Sequence, residues 1–158
     1  MDFNIRPVLA PQDIAATGTR SASVDLANLN WCTFLVHFGN IAATSADQAV
    51  TVTLEASTVT ASTSASAIAF NYRQSGIHTA NTWGAYTAAT SSGVSVATTD
   101  DNTIFEIQVD PAYVSANKTD GRWVAVMVTP DAGGTATLVG ITVIGEPRYP
   151  GATMTVST

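Results

Sequence analysis

Charge is scarce in this chain. Only 11% of its 158 residues are Asp, Glu, Lys or Arg, where ordinary domains carry about 25%. Lys118 is the single lysine, and Arg6, Arg20, Arg73, Arg122 and Arg148 are scattered along the sequence. Neutralising a nucleic-acid backbone takes clustered Lys and Arg. Direct nucleic-acid binding is therefore not expected, nor is attachment to an anionic membrane; a net charge of −6 points the same way. Cysteine is nearly absent too. Cys32 stands alone, so no internal disulfide forms and cytoplasmic synthesis is the default expectation. No apolar run approaches the roughly 18 residues of a transmembrane helix. The opening Met1-Asp2-Phe3-Asn4-Ile5-Arg6-Pro7 has no basic stretch leading into an apolar one, so no signal peptide is expected. Glu, Lys and Leu are too few for a coiled coil.

Apolar material, by contrast, is plentiful at 46%, which argues against a disordered chain. At this length roughly two thirds of the unfolded surface can be buried in one domain. The apolar residues fall mainly at every second position, the period of a strand with one buried face. In 31–38, Cys32, Phe34, Val36 and Phe38 form one face; Trp31, Thr33, Leu35 and His37 form the other. In 50–56, Val50, Val52, Leu54 and Ala56 alternate with Thr51, Thr53 and Glu55. Ile68, Phe70 and Tyr72 alternate through 66–73, and Phe105, Ile107 and Val109 through 103–110. Val139, Ile141 and Val143 do so in 137–144. Segment 122–129 is apolar on both faces and is expected at the centre of a sheet. Shorter strands are expected at 22–27, 83–88 and 93–98.

Gly, Asn, Asp and Ser clusters punctuate these segments, among them Gly39-Asn40, Asp100-Asp101-Asn102 and Asp120-Gly121. The spacing predicts an all-β, two-sheet β-sandwich. A jelly-roll-like order is expected, and an immunoglobulin-like one fits the spacing equally. Asp110-Pro111 predicts one short helical turn, with Asp as N-cap and Pro in the first helical position, ending by Asn117. Pro7 and Pro11 keep the first 20 residues out of a sheet centre. Residues 1–20 are thus read as an extended N-terminal arm, 21–150 as the sandwich and 151–158 as a C-terminal tail. The low-complexity stretch 57–67 is read as a hairpin connection.

Chemistry is not nominated anywhere. His37 sits on an outward strand face and His78 in a turn-rich segment without a nucleophile motif. Two distant histidines and one core-facing cysteine make no zinc set. Asp100-Asp101-Asn102 lacks the pattern of a calcium loop and reads as a turn. Glu55, Glu106 and Glu146 do not form a pair. Asn117-Lys118-Thr119 matches the glycosylation sequon, which without a secretory signal reads as chance. No catalytic, cofactor-binding or metal-binding residue is expected, and the chain is not expected to be an enzyme. The aromatic concentration at 70–90 (Phe70, Tyr72, Trp83, Tyr86) has two readings: it closes one end of the core, or it is a binding surface.

Three further pieces carry a family resemblance. They are Ile5-Arg6-Pro7-Val8-Leu9-Ala10 followed by Val24-Asp25-Leu26; Thr103 to Asp110, a helical turn and Asp120 to Val126; and the late strand closing on Gly145-Glu146-Pro147-Arg148-Tyr149-Pro150. In these the chain resembles the small capsid decoration, or cement, proteins of tailed bacteriophages. The aromatic stretch 71–90 is not part of that pattern. The resemblance implies a non-enzymatic virion protein made in the bacterial host cytoplasm. It implies a β-sandwich on the outer capsid surface, bridging major capsid protein subunits as a dimer or trimer. Inter-chain contacts are expected from Phe3, Ile5, Arg6 and Pro7, from Arg148, Tyr149 and Pro150, and from Trp83 and Tyr86. Two alternatives stand beside it. One is a phage tail or head–tail component, which would be present in far fewer copies. The other is a carbohydrate-binding module with Trp83, Tyr86 and Tyr72 as its stacking platform.

Overall fold

Alternation along the sequence becomes long antiparallel strands in the computed structural model, which describes residues 3–14, 18–43, 50–60, 62–77, 79–131 and 134–157. The strands are β1 (Asn4–Asp13), β2 (Thr19–Arg20), β3 (Val24–Asp25), β4 (Leu29–Ala43), β5 (Val50–Ser57), β6 (Ser66–Ile68), β7 (Phe70–Gln74), β8 (Thr87–Ala89), β9 (Val94–Val96), β10 (Ile104–Val109), β11 (Trp123–Pro130) and β12 (Gly134–Pro147). One sheet has six strands in the order β1-β12-β4-β10-β7-β8. The other runs β2-β11-β5-β6, with β3 also on β11 and β9 also on β5. The two antiparallel sheets pack as an all-β sandwich.

The core lies between them. Cys32, Phe34, Val36 and Phe38 of β4 and Phe105, Ile107 and Val109 of β10 face Val52 and Leu54 of β5 and Val124, Val126 and Val128 of β11 in one buried cluster. Phe105 meets Phe38 edge-on at 5.6 Å and stacks on Tyr72 at 5.7 Å. As expected of a doubly apolar segment, β11 is interior to its sheet, between β5 and the short β2 and β3. The alternation of β4 shifts after Phe38. Val139 pairs with Phe38 but Thr137 with Ile41, so β4 carries an extra residue there. Gly39 sits in this bulge with Leu138 close above it: a Cβ would lie 3.0 Å from that side chain.

Residues 66–73 do not form one strand. β6 pairs with β5 in the second sheet and β7 with β10 in the first. The chain changes sheets at Ala69 while Ile68 and Phe70 both stay buried. The helical turn is α1 (Pro111–Asn117), where the Asp110 carboxylate accepts from the Ala112 N–H at 2.8 Å.

Both segments set apart in the sequence as arm and tail pair with the body. β1 is the edge strand of the six-stranded sheet, antiparallel to β12, with register shifts between Pro7 and Leu9 and between Leu9 and Gln12. Proline cannot complete a ladder on both sides, and an edge strand with bulges is where it fits. At the other terminus Met154 is buried, Val156 bridges to Val24, and the Ser157 N–H donates to the Ser23 carbonyl at 2.8 Å.

Candidate functional site

The outward face of the six-stranded sheet is organised around β10. Its outward residues Glu106 and Gln108 stand beside Arg73 and Asn71 of β7 on one side and Leu35 and Thr33 of β4 on the other. Arg73 binds Glu106 through Nε at 2.8 Å and Nη2 at 2.6 Å. After β7 the chain folds back over this pair. The Gly84 N–H donates to the Gln74 carbonyl at 2.8 Å, the Gly76 N–H to the Thr82 carbonyl at 2.9 Å, and Ser75 bridges to Trp83. That return places Trp83 and Tyr86 against one guanidinium, with Arg73 Cζ 4.6 Å from the first ring and 4.9 Å from the second. The Tyr86 hydroxyl donates to Glu106 Oε1 at 2.6 Å and accepts from Gln108 Nε2 at 2.7 Å.

Charge is thereby settled within the cluster. Hydrogen bonding to Glu106 holds the Arg73 guanidinium more firmly protonated than usual. Partial burial, then the hydrogen bond to the Glu106 carboxylate, raises the Tyr86 phenol above its ordinary value, so it stays a neutral donor. An aromatic pair gripping a cation, with the carboxylate beneath, is a rigid surface feature.

Beside it lies a groove of about 340 Å³ lined by Trp31 and Thr33 of β4 and by Glu106, Gln108 and Asp110. A smaller hollow of about 220 Å³ shares Gln108 and Asp110, is bordered by Asn71 and Tyr113, and reaches between the sheets to the buried Leu54 and Phe70.

The expected contact residues fall in two places. Phe3 to Pro7 and Arg148 to Pro150 meet at one corner, where β1 begins against the end of β12. Asn4 pairs with Gly145, and its amide donates to the Ala152 carbonyl at 3.4 Å. Arg148 is tied to the start of β4 by its N–H to the Asn28 carbonyl at 2.7 Å and its Nη2 to the Leu29 carbonyl at 3.3 Å. Phe3 packs on Trp31 at 5.8 Å. Phe3, Ile5 and Tyr149 remain 48%, 64% and 61% exposed, unusual for side chains so large and apolar. Trp83 and Tyr86 lie on the same sheet but toward its β7–β8 flank, away from this corner. They do not close the core.

Tyr72 does not join them. It points inward and stacks on Phe105. The three-ring platform of Trp83, Tyr86 and Tyr72 is therefore split between two faces of the sheet, because residues 72 and 73 of one strand point opposite ways. Sequence reasoning missed the clustering of Trp31, Asn71, Arg73, Glu106, Gln108 and Asp110. Alternation placed Trp31 and Thr33 outward, but only strand register brings them beside Gln108.

Other candidates have structural roles. Cys32 is fully buried, and burial pushes its thiol far up, away from the reactive thiolate. His37 is outward, between Gly140 and Ile104, and desolvation lowers its pKa. His78 lies outside the described residues. Asp100 accepts from the Ala97 N–H and from the Gln74 amide, and Asp101 accepts from the Ile41 N–H at 2.6 Å. The acidic turn thus pins its loop to β4 and β7. Among the described residues no group of three or more His, Cys, Asp or Glu is placed to hold a metal ion. No protein-family model matches the chain, and neither a curated protein nor a solved structure does.

Proposed function

We propose that this chain is a non-enzymatic virion structural protein. It binds the outside of a phage capsid and stabilises the shell by bridging major capsid protein subunits, itself paired as a dimer or trimer. The observation that carries the reading is the corner of Phe3, Ile5 and Tyr149. Three large apolar side chains stand exposed next to an edge strand, on a molecule otherwise poor in charge. Exposed aromatics in a low-charge setting are what the desolvated centre of a protein interface requires. The open side of β1 offers main-chain groups for strand addition where the bulges at Pro7 and Leu9 do not interrupt it. The family resemblance in residues 5–10, 103–126 and 145–150 supports the same reading.

The function so proposed is mechanical. A bridging copy binds only the assembled lattice, so its binding free energy stabilises that lattice by mass action. Two contacts made by one rigid body raise the effective affinity beyond either contact alone. The test is cosedimentation of the purified chain with heads of the encoding phage that lack it. Saturation at a fixed ratio to shell subunits is expected. Ile5→Asp and Tyr149→Asp should each weaken binding by about 2 kcal/mol, roughly thirtyfold, as loss of an interface anchor does. No cosedimentation, or binding untouched by both changes, overturns the reading.

A further inference from the structure

We infer that the groove over β4 and β10, lined by Trp31, Thr33, Gln108 and Asp110, is a binding site for a neutral oligosaccharide. The volumes are the first reason. The main groove, about 340 Å³, and the adjoining hollow, about 220 Å³, share Gln108 and Asp110. The first falls within the range of small-ligand sites and lies on the outward face; the second turns inward from it, between the sheets, to Leu54 and Phe70.

The chemistry of the lining is the second. Four groups around the groove have no partner among the described residues: the Trp31 indole N–H, the Asn71 amide, the Gln108 carbonyl oxygen, and the Asp110 oxygen not used to cap α1. Asn71, Gln108 and Thr33 form one cross-strand row over three strands, so these groups span about 10 Å. A sugar hydroxyl both donates and accepts, and it matches a mixed row of amide, carboxylate and hydroxyl better than any single-sign ligand does. Trp31 lines the groove, with Phe3 packed against its ring at 5.8 Å, and an indole is a side chain that suits the C–H face of a pyranose.

Preorganisation is the third. Gln108 is oriented by Tyr86, Tyr86 by Glu106, and Glu106 by Arg73. Little side-chain freedom is left to lose on binding. The same chain excludes anionic ligands. Arg73 is committed to Glu106 and to two rings, and no other cation lines the groove.

The experiment uses the free protein and is independent of shell binding. A glycan array is probed first. Tryptophan-fluorescence titrations with cellotriose, maltotriose and triacetylchitotriose follow, together with any array hit. At least one neutral glycan should bind with a Kd on the order of 1 mM or tighter. Trp31→Ala and Gln108→Ala should each weaken it about tenfold or more, and Trp31→Phe should keep part of the affinity. Trp123→Ala, on the other sheet, should leave it unchanged. Thermal melts confirm that each variant folds. Binding of no neutral glycan, binding of anionic glycans alone, or binding that survives both Trp31→Ala and Gln108→Ala overturns the proposal.

Discussion

Arg122 lays its guanidinium on the Asp25 carboxylate, Nε at 2.7 Å and Nη2 at 2.5 Å, across 97 residues of sequence. The pair joins β3 to the entry of β11, and the Ala27 N–H donates to the same carboxylate at 3.0 Å. Burial by itself raises the Asp25 pKa, but the Arg122 and Ala27 hydrogen bonds outweigh it and the net shift is downward. A carboxylate whose folded pKa is depressed contributes stability that is fully present above its unfolded value, about 3.9, and is lost as pH falls through the folded one. Asp25→Asn should therefore lower the urea midpoint at pH 6, and the gap from wild type should close below about pH 4. A gap of constant size down to pH 2 would show that the pair is not the source.

Met154 belongs to the core despite its place in the last residues. It is 1% exposed and sits over Gly145, where a Cβ would lie 3.1 Å from its sulfur and 3.3 Å from Leu29. Met154→Ala should cost about 2–4 kcal/mol, as other buried large-to-small changes do. The neighbouring exposed Thr153→Ala should change stability by less than about 0.5 kcal/mol. Urea denaturation of both variants checks this. Equal, small effects would mean that the C-terminal segment is not packed against β4 and β12.

Arg73 is the pin that holds Trp83 and Tyr86, and with them the returning chain, to the sheet. Arg73→Ala should release the loop without unfolding the sandwich. Hydrogen exchange at Gly76 and Gly84 should quicken about tenfold while the β4–β10 amides stay protected. Arg73→Lys should not restore protection, since an ammonium cannot lie flat between two rings and fork onto Glu106 at once. Unchanged exchange at Gly76 and Gly84 in the alanine variant would contradict this role.

Alternation in Cys32-Phe34-Val36-Phe38 and in Val50-Val52-Leu54 made the sandwich readable in advance, since one buried face is a local property of a strand. Asp110-Pro111 announced α1 for the same reason: capping is decided within three residues. What escaped was everything that depends on which sheet a strand enters. Ile68, Phe70 and Tyr72 keep one alternation although β6 and β7 lie in different sheets, so the crossing at Ala69 leaves no mark in the pattern. The prolines of residues 7 and 11 correctly excluded a central strand, yet said nothing of the pairing with β12. The groove was invisible because its row, Asn71 to Gln108 to Thr33, is assembled by register between distant segments. Tyr72 and Trp83 were close in sequence and aromatic alike, but strand parity sent one inward.

The central claim is that this molecule coats a shell. Its most direct test is the copy number of the chain in purified virions, measured by quantitative mass spectrometry against the major capsid protein. The account predicts a fixed ratio to the capsid subunit, with copies spread over the whole lattice and numbering in the hundreds. A handful of copies per particle, or none, would contradict it.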